Sequence, residues 1–148
     1  MMASNTFDSE PRDEMSLNTE PSLSHIYRNY IQAIRDHNLG KMDEYVSADV
    51  IHNDKHLGLQ RYKELLLHNI ISTGVSIEIK RLIADKNHVA AVLIFTTKSS
   101  TKSLVDIQLD GQPFSYAENV IYDFRDGKIA EVHSQFDIDT IRSHSRPA

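Results

Sequence analysis

Glu118 stands in the middle of the alternating series Phe114, Tyr116, Glu118, Val120, Tyr122, Phe124, whose other members are apolar or aromatic. A carboxylate among such neighbours loses hydration, which costs several kcal/mol unless it is paired or neutralised, and desolvation raises its pKa. A carboxyl group tuned toward neutral pH can take a proton from a carbon next to a carbonyl and give it back. The alternative is a Glu that bonds a Tyr or Arg and fixes a sheet. His133 alternates with Glu131, Gln135 and Asp137, and the opposite parity carries Val132, Ser134 and Phe136. The polar series has two readings: it lines a polar-tipped pocket, or it faces solvent. His52 and His56 are four apart, a spacing that converges on a metal only on a helix. Gly58 and the strand-like residues before His52 argue against a helix, Lys55 would repel a cation, and no third ligand is well spaced. No metal is expected. Tyr27 and Tyr30 share the apolar face of a helix, and Tyr116 shares the face of Glu118. Such hydroxyls either polarise a substrate oxygen or are satisfied within a core. Arg35 and Arg61 read as solvated. There is no phosphate-binding Gly-rich loop, nucleophile elbow or nucleophilic triad.

The elements that must position these groups follow from periodicity. Leu23, Ile26, Tyr27, Tyr30, Ile31 and Ile34 form the stripe of an amphipathic helix, with Ser22 as its cap and Gly40 as its end. A short second helix carries Met42, Tyr45 and Val46. Val50, Ile51 and His52 make a short strand or an extended turn. Gly58 opens a third helix with Leu59, Tyr62, Leu65, Leu66, Asn69 and Ile70 on one side. Period-two alternation then predicts strands over residues 75–84, 88–97, 114–125 and 128–137, with another over 104–109. Asp110-Gly111 and Asp126-Gly127 are hairpin signals. Helices followed by an antiparallel meander give an α+β architecture, with the helices on one face of the sheet. Ala117, Ile121, Val132, Ser134 and Phe136 are expected to form an apolar patch on the other face.

The chain has 148 residues, a length that fits one domain. Residues 1–21 are too polar to offset their ordering entropy and read as a disordered tail. The folded domain spans residues 22–142, followed by a flexible tail over 143–148. The absence of cysteine excludes disulfides, cysteine-bound metals and thiol nucleophiles. A net charge of -5 argues against a general nucleic-acid binder. No run of residues is long and apolar enough for a membrane span, and the polar, acidic start is unlike a secretory signal. A cytoplasmic location, away from membrane and nucleic acid, is the expectation.

Tyr27–Tyr30, the segment Val50-Ile51-His52-Asn53 leading to Gly58, and Tyr62–Leu66 resemble the first half of a SnoaL-like polyketide cyclase domain. Phe114-Ser115-Tyr116-Ala117-Glu118-Asn119-Val120, running into Phe124-Arg125-Asp126-Gly127-Lys128-Ile129-Ala130-Glu131-Val132 and on to Asp137, resembles its second half. The resemblance covers residues 23–137. It implies the nuclear-transport-factor-2-like (cystatin-like) fold, a curved antiparallel sheet wrapped around N-terminal helices with a cone-shaped pocket. It also implies a homodimer, and acid–base chemistry without a metal or an organic cofactor. The family uses an acidic residue on the strand of Glu118, has a similar His-Asn pair at the pocket mouth, which implies a hydrogen-bonding role in the pocket for His52, and often carries Trp where this chain has His133.

The expectation is a cofactor-independent cyclase or isomerase acting on a hydrophobic polyketide-, terpenoid- or alkaloid-like intermediate of secondary metabolism. Glu118, His133 and His52 are its expected catalytic residues. Tyr27, Tyr30, Tyr116, Glu131 and Gln135 are the expected substrate contacts. The alternatives are a dehydratase on the same kind of substrate and a non-catalytic, dimeric ligand-binding module.

Overall fold

The computed structural model describes residues 22–147; the expected tail over residues 1–21 lies outside them. Helix α1 (Leu23–Arg35) is capped by Ser22, whose Oγ accepts from the His25 amide at 3.2 Å. It ends before Gly40, at a left-handed His37 (φ 57°), and Gly40 lies in a separate 3-10 turn, Leu39–Lys41. The Arg35 guanidinium, expected to be solvated, donates twice to the Ile77 carbonyl, at 2.9 and 3.2 Å. That bond ties the end of the helix to the sheet.

Helix α2 (Met42–Tyr45) gives way to strand β1 (Val46–His52). Val46, expected in the second helix, therefore begins a strand of seven residues where only a short one was expected. Strand β2 (Lys55–His56), helix α3 (Leu59–Leu66) and a π turn (Leu67–Ile71) follow. Next come β3 (Ser76–Ala84), β4 (His88–Thr97), β5 (Ser103–Leu104) and β6 (Ile107–Gln108). The long strands β7 (Phe114–Arg125) and β8 (Lys128–Phe136) lead to helix α4 (Ile138–Ser143). The strand expected over residues 104–109 is instead a two-stranded hairpin, β5–β6, outside the main sheet.

The main sheet has the order β2-β1-β8-β7-β4-β3. Every pair is antiparallel except β1 with β8, which is parallel. The sheet is therefore not a pure meander, because the early strand β1 returns to lie beside the last one. Register shifts interrupt β3 near Lys80, the β7–β8 pair near Ala130, and β1. Bulges of this kind bend strands and increase their twist, and they curve the sheet around α1 and α3. The interior holds Tyr27, Tyr30, Ile31 and Ile34 of α1 against Leu93 and Phe95 of β4 and Val120 and Tyr122 of β7, all buried.

The C-terminal segment is docked, in contrast to the flexible tail expected from residue 143. Asp137 caps α4, Ile141 is fully buried, and the His144 ring stacks on Phe114 with centroids 4.1 Å apart. The Asp110 amide donates to the His144 carbonyl and the Arg146 amide to Gln108.

Strand parity corrects the expected outer patch. Val132 pairs with Tyr122, Ser134 with Val120 and Phe136 with Glu118, all on the inner face. The outer face instead carries a cross-strand row of Ile83, Ala90, Ile121 and His133.

Candidate functional site

A cavity of about 220 Å³ lies between the helices and the concave face of the sheet. Its walls are mostly apolar: Ile31 and Ile34 from α1, Leu65 and Leu66 from α3, Leu93 and Phe95 from β4, Val132 and Phe136 from β8. A few polar groups converge on it, the pattern of a small-molecule site. They are Glu118, Tyr30, Tyr62, Tyr122, His52, Asn53 and Asn69. Among the described residues no Lys or Arg lines it.

Glu118 reaches the cavity because β7 alternates without interruption from Phe114 to Tyr122, which turns every even-numbered side chain inward. The residue is 9% exposed. Its carboxyl pKa is pushed up to about 7, mainly by burial, with the hydrogen bond from Ser134 opposing the shift. The Ser134 hydroxyl donates to Glu118 Oε2. An acid held near neutrality is populated in both protonation states, as proton transfer in both directions requires.

Phenols surround it. The Tyr30 and Tyr62 hydroxyls bond each other at 2.6 Å, and Tyr27 and Tyr122 at 3.1 Å. Burial raises the pKa of all four, so they remain neutral donors. Tyr30 lines the cavity as expected. Tyr27 does not line it, and its hydroxyl bonds that of Tyr122, which does. Tyr116 is 3% exposed in an aromatic stack with Phe95, 5.2 Å between centroids, and does not line the cavity. Its hydroxyl is buried without a hydrogen-bond partner among the described residues.

His52 ends β1 with its ring edge-on to Tyr62, 6.1 Å between centroids. Burial is the main cause of its lowered pKa, with His133 and Lys55 adding to it, so it stands as a neutral imidazole at the mouth. Asn69 is presented by the π turn, an irregularity frequent at functional sites. Its Oδ1 accepts from the Val105 amide at 3.1 Å and ties the turn of the β5–β6 hairpin to the cavity wall, which Val105 also lines.

The structure corrects the expected placement of His133, Glu131 and Gln135. They pair with Ile121, Asp123 and Asn119 on the outer face of the sheet, away from the cavity. Of the two parities of β8, the apolar one faces inward because it packs against Tyr122 and Val120. His133 Nε2 lies 3.0 Å from Glu131 Oε2. Asp54, Glu131 and His133 bring three ligand-type atoms within 4.8 Å of one another. Asp54 and His133 are exposed, and surface groups of this kind are common without an ion.

Sequence reasoning assigned no role to three cavity groups, Tyr62, Tyr122 and Asn69, or to Ser134, which bonds Glu118 without lining the cavity. Tyr122 was detectable, since it lies four residues after Glu118 on the same face. Tyr62 carries the same signal on α3, a phenol on an apolar helix face. Ser134 had none, because its reach to Glu118 depends on the β7–β8 register.

Residues 24–143 match the family described as SnoaL-like polyketide cyclase. No curated protein matches the chain. Among solved structures, a SnoaL-like polyketide cyclase from Agrobacterium tumefaciens is 25% identical, with a TM-score of 0.77 over 84% of this chain and 98% of that one. TsrD from Streptomyces laurentii is 15% identical, with a TM-score of 0.73 over 82% and 92%. AclR from Streptomyces galilaeus, named as a candidate hydroxylase, is 19% identical, with a TM-score of 0.64 over 77% of each chain. With its helices packed into a curved, unclosed sheet and the sequence match spanning that whole unit, the chain belongs to the SnoaL-like polyketide cyclase family.

Proposed function

We propose that the protein is a cofactor-independent cyclase or isomerase that moves protons on a hydrophobic intermediate of secondary metabolism, of polyketide-, terpenoid- or alkaloid-like character. The observation that carries this reading is Glu118, a buried carboxyl facing an apolar cavity with its pKa near 7. Its carboxylate takes a proton from a carbon next to a substrate carbonyl. The electron pair moves to the carbonyl oxygen, and a tyrosine hydroxyl at the cavity wall donates to the resulting enolate. Donors placed in advance around a developing anion commonly contribute factors of about 100–1000 in rate. Return of the proton to another carbon completes an isomerisation. Attack of the enolate carbon on a second carbonyl closes a ring, and the alkoxide takes the proton from Glu118. The absence of Lys and Arg from the lining, among the described residues, favours uncharged substrates.

The test is enzyme-dependent deuterium uptake at the α-carbons of a panel of hydrophobic cyclic ketones in D₂O, followed by NMR. Glu118→Gln keeps the shape and removes the base, so exchange falls at least ~100-fold with the fold intact. Saturable binding of the probes without exchange by the wild type would support a ligand-binding module instead.

A further inference from the structure

We propose that Ser134 and Asn53 are positioning residues for the Glu118 carboxyl, fixing one of its oxygens and leaving the other to carry the proton. The catalytic consequence rests on the proposed function; the positioning itself does not. The Ser134 hydroxyl occupies Oε2. Among the described residues no protein group bonds Oε1, and the Tyr116 hydroxyl is the one enclosed side-chain polar atom that lacks a partner. Oε1 is therefore not sealed in the core but opens on the cavity that Glu118 lines.

Ser134 is itself held in place. Its backbone amide donates to Asn53 Oδ1 at 2.8 Å, and the Asn53 amide donates to the Val132 carbonyl at 2.9 Å. These two bonds grip β8 on both sides of His133. Asn53 makes them from a left-handed conformation (φ 47°), which Asn adopts more readily than most residues. The mouth turn is thus connected through two residues to the oxygen of the buried acid. This arrangement distinguishes the two carboxyl oxygens before any substrate arrives.

The groups facing Glu118 leave it as the one that titrates near neutrality. Tyr27 and Tyr30 from α1, Tyr62 from α3, and Tyr116 and Tyr122 from β7 are phenols raised by burial. His52 from β1 is lowered. The neighbouring Leu93 and Phe136, on β4 and β8, are uncharged.

The test is a ¹³C NMR titration of the Glu118 carboxyl, assigned by its loss in Glu118→Gln, and it needs no substrate. A hydroxyl that donates to a carboxylate favours the charged form, so removing it raises the midpoint. Ser134→Ala is expected to raise it by about one pH unit. Ser134→Thr keeps the hydroxyl and the wild-type midpoint. Asn53→Ala moves it in the same direction by less. If Ser134→Ala does not fold, Ser134→Cys, close in volume and a weak donor, carries the same expectation. An unmoved midpoint in a folded Ser134→Ala or Ser134→Cys protein overturns the proposal, as does an equal rise in Ser134→Thr. The titration judges the positioning alone, and deuterium uptake judges the catalytic reading.

Discussion

Glu118 couples the cavity's chemistry to the protein's stability. Its folded pKa, about 7, lies above the ordinary value of 4.5. The unfolded chain therefore releases this proton first as pH rises. Stability from this group is fully present below about pH 4.5, falls between pH 4.5 and 7, and is flat above. The size of the fall is about 3 kcal/mol. Glu118→Gln lacks the titration, so denaturant melts should show the mutant gaining on the wild type by about that amount between pH 4.5 and 7. A constant difference across this range would mean that the carboxyl is not desolvated. Tyr116 and Tyr62 make a contrasting pair. The Tyr116 hydroxyl is buried with no partner among the described residues, so Tyr116→Phe should leave stability unchanged or raise it by about 1 kcal/mol. Tyr62→Phe leaves the Tyr30 hydroxyl without its 2.6 Å partner and should cost about 1–3 kcal/mol. Equal effects in thermal melts would contradict these hydrogen-bond assignments.

Among the elements, the turn of the β5–β6 hairpin depends on a side chain from another element. Val105 and Asp106 form its turn with φ 43° and 66°, a region costly for a β-branched residue. The Asn69 side chain offsets that strain by accepting from the Val105 amide. Asn69→Ala should raise amide hydrogen exchange at Val105 by roughly fivefold, the scale of one net hydrogen bond, and leave β4 and β7 unchanged. Uniform deprotection would show a global effect instead. This hairpin was only half legible in the sequence, because Val-Asp is a poor turn pair and the contact that stabilises it comes from another element. The long strand β7 was fully legible, since strict alternation both identifies a strand and assigns its faces. Strand β8 offered two plausible faces, and the choice between them depended on packing against β7. Likewise β1 owes its length to parallel pairing with β8, a partner about eighty residues away that no local pattern reveals.

For the whole molecule, helices before strands and the Asp126-Gly127 hairpin were enough to anticipate the layered fold and its internal pocket, whereas Asp110-Gly111, read as a hairpin, joins β6 to β7, which do not pair. The composition of that pocket was less legible, because Asn69 and Tyr62 come to line it with Glu118, and Ser134 comes to bond the carboxyl, only through tertiary packing. Among the described residues no helix is long and apolar enough to cross a membrane. The outer sheet face exposes Ile83 at 71% and Ile121 at 50%, in one row across three strands. Exposed apolar patches mark interaction surfaces, and we propose a homodimer through this face. Sedimentation at micromolar concentration should give a dimer and Ile121→Lys a monomer; a monomeric wild type would contradict it. The central claim, that Glu118 exchanges a proton with substrate inside the cavity, is tested most directly by the pH dependence of catalysed deuterium uptake. With Glu118 as the base, the rate should rise with pH to a plateau with a midpoint near 7, and Glu118→Gln should abolish that dependence together with the activity. Full exchange by Glu118→Gln, or a wild-type midpoint near the ordinary carboxylate value, would contradict the claim.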